Sequence, residues 1–224
     1  MTRYKSHLAG NSLGSRLMYS TVRNILTVWL RVWCREAIEG RENIPVSGPF
    51  ILAPVHRSIL DTPISSTLTR RRLRFMGKDS MWRTKFGNWF LSALGAFPVS
   101  RGTADREALK RCIQVLQGGE PLVLFPEGER KAGPIVRPLF DGAAYVAVKA
   151  GVPIVPVGIG GSERVMPKGS RFIYPRKLVV VIGKPIEVPT DGSGRAPRAI
   201  VREITEQLHE SLQQLLDSAQ VRAG

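Results

Sequence analysis

The segment Ala53-Pro54-Val55-His56-Arg57-Ser58-Ile59-Leu60-Asp61 puts an imidazole at the end of an apolar run and a carboxylate five positions later. A histidine that ends a strand and an aspartate that starts the next helix can fold onto each other. The carboxylate then keeps one ring nitrogen protonated and leaves the other free to accept a proton. Such a pair needs no serine or cysteine partner. A substrate hydroxyl can be the nucleophile, with His56 as general base and Asp61 as its orienting anion. Ser58, inside the same block, is a further candidate substrate contact.

Three more blocks add to this one. Leu124-Phe125-Pro126-Glu127-Gly128-Glu129-Arg130 follows a buried-strand signal, so its charged residues emerge at the strand's carboxyl end, where open α/β sheets bind ligands. Glu127 and Arg130 are candidate substrate contacts there, and Gly128 permits close backbone approach. Gly95-Ala96-Phe97-Pro98-Val99-Ser100-Arg101-Gly102 places Arg101 just before Thr103, a candidate helix cap, and a guanidinium beside a helix N-terminus suits phosphate. Lys78, closing the basic cluster Arg70, Arg71, Arg72 and Arg74, is a further candidate. Gly151-Val152-Pro153-Ile154-Val155-Pro156-Val157 carries no functional side chain and reads as a buried structural strand.

The elements that would position these groups alternate along the chain. Strands are expected at Phe50–Val55, Leu73–Met76, Phe97–Val99, Leu122–Phe125, Ile154–Val157 and Leu178–Ile182. Helices are expected at Thr103–Gln117, at Gly142–Ala150, and from Pro197 onward with Ile200, Ile204, Leu208, Leu212 and Leu215 buried. This alternation predicts a single α/β domain over 41–224 with a mixed, largely parallel sheet flanked by helices. Residues 1–40 form an N-terminal element of another character. Over 15–35, Arg16, Ser20, Arg23, Asn24, Thr27, Arg31 and Arg35 share one helical face, and Leu17, Met18, Val22, Ile25, Leu26, Val28, Trp29, Val32 and Trp33 fill the remainder. That pattern predicts an amphipathic helix, lying in a membrane interface or packed on its own domain. Ser80–Gly95 interleaves Trp82, Phe86, Trp89 and Phe90 with Arg83 and Lys85. It fits a lipid headgroup boundary, stacking on single-stranded nucleic acid, or a core helix with a basic edge.

The net charge of +15 requires an anionic partner, and the charge is concentrated early: residues 1–35 hold six basic residues and no acid. No run of about 18 uncharged apolar residues exists, so no spanning helix is expected. Cys34 and Cys112 match no metal or redox spacing and read as free thiols.

In this order and spacing, the four blocks resemble the glycerolipid acyltransferase family that includes bacterial lysophosphatidate acyltransferases. That family carries a His-x4-Asp motif, an arginine-bearing second block, a Phe-Pro-Glu-Gly third block and a Val-Pro-Ile-Val-Pro fourth, and the resemblance spans about residues 45–185. It implies that His56 and Asp61 form the catalytic dyad, that Arg101 meets the acceptor phosphate, and that Glu127, Gly128 and Arg130 contact the acceptor. The implied reaction moves a fatty acyl group from acyl-coenzyme A or acyl carrier protein to the hydroxyl of lysophosphatidate. The donor is a substrate, and neither cofactor nor metal is implied. The expected place is the cytoplasmic face of the cell membrane, held peripherally or monotopically on an anionic surface. Val55, Glu129 and Asp141 depart from the family's commoner Asn, Thr or Ser, and basic residue. Other acceptors (glycerol 3-phosphate or another lysolipid) and thioester hydrolysis remain alternatives. So does a non-catalytic basic protein bound to membrane or nucleic acid, although no nucleic-acid-binding signature is present.

Overall fold

The computed structural model describes residues 10–99, 106–189 and 195–224. Its strands are β1 (Ala37–Glu39), β2 (Ile51–Pro54), β3 (Arg74–Lys78), β4 (Ala96–Val99), β5 (Leu122–Val123), β6 (Ile154–Gly160) and β7 (Val179–Ile182). The helices are α1 (Leu13–Trp33), α2 (Asp61–Thr67), α3 (Lys85–Ala93), α4 (Arg106–Gln117), α5 (Gly142–Ala150), α6 (Ser162–Val165) and α7 (Arg198–Ala223).

The strands form one seven-stranded sheet in the order β1-β7-β6-β2-β5-β3-β4. Every pairing is parallel except β6 with β7. A parallel sheet covered on both faces needs strands without polar alternation. The central strands comply: all four residues of β2 and all seven of β6 are buried. The first turn after β2 leads directly into α2, so His56 and Asp61 lie at the carboxyl end of a central strand, beside β5 on one side and β6 on the other.

Helix α7 closes one face by lying on β6. The approach is close enough to require glycine. A Cβ added at Gly158 would sit 2.3 Å from the backbone carbon of Leu215, and one at Gly160 would sit 2.2 Å from the carbonyl oxygen of Ala219. The side chains of Val201, Ile204, Leu208, Leu212 and Leu216 are buried along this helix.

The expected strands are present with shifted ends, and β1 was not foreseen. It has three residues and exists through its pairing with β7. Pro197 caps α7 and is not its first turn, and the Thr103 cap expected for α4 lies outside the described residues. The wide apolar face expected on the N-terminal helix divides. Tyr19 and Leu30 are buried, Trp29 packs on the core, and the Trp33 indole N–H donates to the Ile173 carbonyl at 3.0 Å. Leu13, Leu17, Ile25, Val28 and Val32 remain exposed in a row. Leu30 and Cys34 belong to the same apolar core as the sheet, so α1 is built into the α/β domain. Among the described residues no helix is long and apolar enough to cross a membrane.

Gly158→Ala should push α7 from β6 and cost about 1–3 kcal/mol of stability through overpacking. The denaturation midpoint of the purified variant measures this; an unchanged midpoint would show that α7 can shift without cost.

Candidate active site

The strand β2 ends at Pro54, and the chain then turns sharply to enter α2 at Asp61. The Asp61 carboxylate is wholly buried and organises that turn. Its Oδ2 accepts the backbone N–H of Arg57 at 2.5 Å and of Ser58 at 2.6 Å, and lies 3.2 Å from Nδ1 of His56. An ionised carboxylate can only accept, so Nδ1 carries the proton and Nε2 presents its lone pair. The His56 side chain keeps 14% of its exposure, enough for a ligand to reach it. Its ring stacks on Phe125 with centroids 4.1 Å apart, which supports one face of the imidazole and leaves the in-plane nitrogens free to hydrogen-bond.

A second layer lies beneath this dyad. Glu127 is wholly buried at the carboxyl side of β5. Its Oε2 accepts the His56 backbone N–H at 3.1 Å and Arg57 Nη1 at 2.7 Å, and its Oε1 accepts the Arg137 backbone N–H at 3.2 Å. The Arg57 guanidinium also donates to the carbonyls of Gly133 at 3.0 Å, His56 at 3.2 Å and Ile135 at 3.2 Å. Lys131 N–H closes the arrangement by donating to the His56 carbonyl at 2.8 Å. The loop over 128–137 is thereby fastened to the turn that carries the histidine. Glu163 in α6 lies near this cluster, and burial raises its carboxyl above the ordinary value while the Gly133 N–H and Arg57 act against that rise.

Two sequence-predicted substrate contacts are enclosed in this structure. Glu127 was expected to meet the acceptor, but its carboxylate is enclosed and both oxygens are occupied. Ser58 was expected to face substrate, but it is 2% exposed and its hydroxyl donates to the Met166 carbonyl at 3.2 Å. Gly128 has φ +71°, and a Cβ there would lie 2.7 Å from the Phe140 ring, so the turn requires glycine. Arg130 is exposed beyond it. The Glu129 charge, foreign to the resembled motif, is met by Lys131 Nζ at 2.6 Å. Asp141 accepts from the Thr205 hydroxyl at 3.0 Å. Lys78 ends β3; Arg101 lies outside the described residues.

Arg57 and Phe125 were not foreseen. An arginine next to a histidine reads in sequence as a solvated charge, and only the pairing of β2 with β5 brings Glu127 beneath it. Burial pushes the Cys34 thiol up to about 11 and the Cys112 thiol up to about 12, so neither supplies a thiolate at neutral pH.

Comparison with known proteins places the chain in a family. The acyltransferase family model matches residues 35–160, and the chain belongs to that family. A chloroplast 1-acyl-sn-glycerol-3-phosphate acyltransferase of Brassica napus is 33% identical over 153 residues, covering 66% of this chain and 44% of the relative. The chain thus spans less than half of that plant protein. A 1-acyl-sn-glycerol-3-phosphate acyltransferase of Bacillus subtilis is 26% identical over 199 residues, covering 88% of this chain and 96% of the relative. Among solved structures, the 1-acyl-sn-glycerophosphate acyltransferase PlsC of Thermotoga maritima superposes with a TM-score of 0.72 at 25% identity, covering 90% of this chain and 80% of the other.

Glu127→Gln should leave the buried Arg57 charge without its counter-ion and cost about 3–5 kcal/mol of stability. Turnover should fall with it, while the Michaelis constant of the hydroxyl substrate changes little. A raised Michaelis constant with unchanged turnover and stability would instead make Glu127 a substrate contact.

Proposed function

We propose that the chain transfers a fatty acyl group from an acyl thioester, on coenzyme A or acyl carrier protein, to the free hydroxyl of lysophosphatidate. The observation that carries this reading is the 3.2 Å contact between His56 and Asp61. Among the described residues no serine or cysteine side chain bonds to that histidine, and the acceptor's own hydroxyl is read as the nucleophile. His56 Nε2 takes the hydroxyl proton as the oxygen attacks the thioester carbonyl. Asp61 stabilises the imidazolium that forms. When the tetrahedral intermediate collapses, the carbon–sulfur bond breaks and the leaving thiolate takes the proton from His56. The two relatives described above are named for this acceptor.

An apolar cavity of about 210 Å³ supports the lipid side of the reading. It is lined by Val22 and Leu26 of α1, Thr62 and Pro63 of α2, and Phe75 and Leu91, so it begins one residue beyond Asp61. A hydrocarbon chain is the matter such a lining takes up. Arg130, exposed at the loop tip, is a candidate for the acceptor phosphate; Arg101 is assigned to it by resemblance, and Lys78 stays a candidate from the basic cluster.

The membrane contact in this proposal uses the outward row of α1 (Leu13, Leu17, Ile25, Val28 and Val32). Helix α3 touches α1 and exposes Phe86 and Trp89, each more than half accessible. Large exposed apolar side chains on two adjoining helices, among many arginines, suit the boundary of an anionic leaflet.

His56→Ala should lower acyl transfer by about 10²–10⁴ while the protein stays folded, because a positioned general base contributes that much. Asp61→Asn should lose activity as well. Near-normal transfer by folded His56→Ala protein, with acyl-coenzyme A and lysophosphatidate, would falsify the mechanism. Leu17→Asp with Ile25→Asp should release the protein from anionic vesicles without changing its melting temperature, since both side chains are exposed. Undiminished sedimentation with vesicles would place the contact elsewhere.

A further inference from the structure

The amino ends of β3 and β5 frame a second cavity, at the opposite end of the sheet from His56. Its volume is about 490 Å³, and it is lined by Arg16 and Ser20 of α1, by Arg70, Arg71 and Arg72, and by Glu120. Tyr19 separates it from the apolar cavity, its side chain lining both.

The charge in this cavity is not balanced. Glu120 is the one acid among its lining residues, and both of its oxygens are taken by Arg74. Burial alone would raise the Glu120 carboxyl, yet Arg74, Arg72 and Arg16 hold it below its ordinary value. Arg16 and Arg70 are exposed, and among the described residues no group hydrogen-bonds to either guanidinium. Arg71 is committed to the Pro45 carbonyl at 3.1 Å and to the face of Phe50. Arg72 donates from Nη1 and Nη2 to the carbonyls of Gly10 at 2.6 Å and Ala93 at 2.8 Å, but its Nε is buried with no partner. The two exposed guanidiniums at the entrance therefore keep their donors for an acceptor from outside.

We propose that this cavity binds the phosphate of an anionic membrane phospholipid, at a site separate from the one that holds the reacting acceptor. Arg16 and Arg70 form its mouth, with Arg71 and Arg72 among its walls. A phosphodiester offers acceptor oxygens to several guanidinium forks at once, which a carboxylate does less completely. The lipid source follows from the mouth's surroundings. Leu13 and Leu17 flank Arg16 on α1 and are 74% and 61% exposed, so acyl chains would find apolar contact beside the headgroup. That choice of source rests on the membrane contact proposed above; the unbalanced arginines do not.

The test compares two double variants of equal charge. Arg16→Gln/Arg70→Gln empties the mouth, and Arg31→Gln/Arg35→Gln removes two exposed charges from the other end of α1. Each is sedimented with phosphatidylcholine vesicles, either pure or carrying one phosphatidylglycerol in about five lipids, at about 0.5 M salt, where diffuse attraction is largely screened. The unaltered chain should retain a preference for the anionic vesicles. Arg16→Gln/Arg70→Gln should lose that preference, by about tenfold in association constant, and Arg31→Gln/Arg35→Gln should keep it. Equal loss in both variants, or in neither, overturns the site while leaving the membrane contact standing. Failure of the unaltered chain to bind either vesicle overturns both. If about 10 mM inorganic phosphate abolishes the preference at matched ionic strength, the cavity holds a free anion and the lipid assignment falls. Unchanged melting temperatures in both variants establish that folding is not the cause.

Discussion

The buried pair between Arg57 and Glu127 is the interaction on which the rest of the site depends. Two opposite charges removed from water are a poor source of stability unless their remaining hydrogen-bonding capacity is used. Here it is used on backbone. Glu127 takes the N–H groups of His56 and Arg137, and Arg57 takes the carbonyls of His56, Gly133 and Ile135. The pair therefore connects the ends of two neighbouring strands to the loop above them. Asp61 can hold the imidazole only because the turn beneath it is already held. The ion pair holds the backbone of His56, so the dyad and the pair act as one structure.

That structure in turn requires a stiff central sheet. His56 lies at the end of β2, which is flanked by β5 and β6 and buried throughout. Helix α7 fixes β6 through contacts so close that two strand glycines are needed. Closely packed interiors transmit displacement because they have little free volume to absorb it. A shift of α7 reaches β6, then β2, then the histidine. The length of α7, 26 residues, spreads its contacts along β6 and β7 and holds both strands from one side.

Much of this was legible in the sequence, and the exceptions have physical causes. Buried parallel strands read as unbroken apolar runs, so β2, β6 and β7 were found from Phe50–Val55, Ile154–Val157 and Leu178–Ile182. Ala37-Ile38-Glu39 has no such run, and its strand character comes from a partner some 140 residues away. The histidine–aspartate pair was legible because both members lie within one turn. The second layer was not, because Arg57 and Glu127 are 70 residues apart and each alone resembles a solvated charge. Ser58 and Glu127 were assigned to substrate for the same reason: a polar residue beside a catalytic one looks available until its neighbours are known. The apolar face of α1 was legible as a stripe, but its division into an inward and an outward half depends on where α2 and α3 meet it.

The corrected roles narrow where acceptor recognition can reside. With Glu127 and Ser58 turned inward, the dyad's immediate surroundings offer a base, an aromatic wall and backbone, but few free polar side chains. On the proposed reading, the acceptor phosphate is met further out, by groups on the loop past Gly128. Arg130 is exposed there, and the Glu129 charge that would oppose an anion is drawn to Lys131. The base of this loop is immobilised by two Arg57 hydrogen bonds, to the Gly133 and Ile135 carbonyls, and by Lys131 N–H on the His56 carbonyl, whereas its tip carries exposed charges. Such a division lets the tip vary in sequence without moving the imidazole. It also accounts for the tolerance of Glu129 where the resembled motif has a hydroxyl residue: the substitution alters the field at the tip and leaves the geometry at the base intact. On the proposed reading, acceptor choice falls to the loop tip and proton transfer to His56, and the buried Arg57 joins the two.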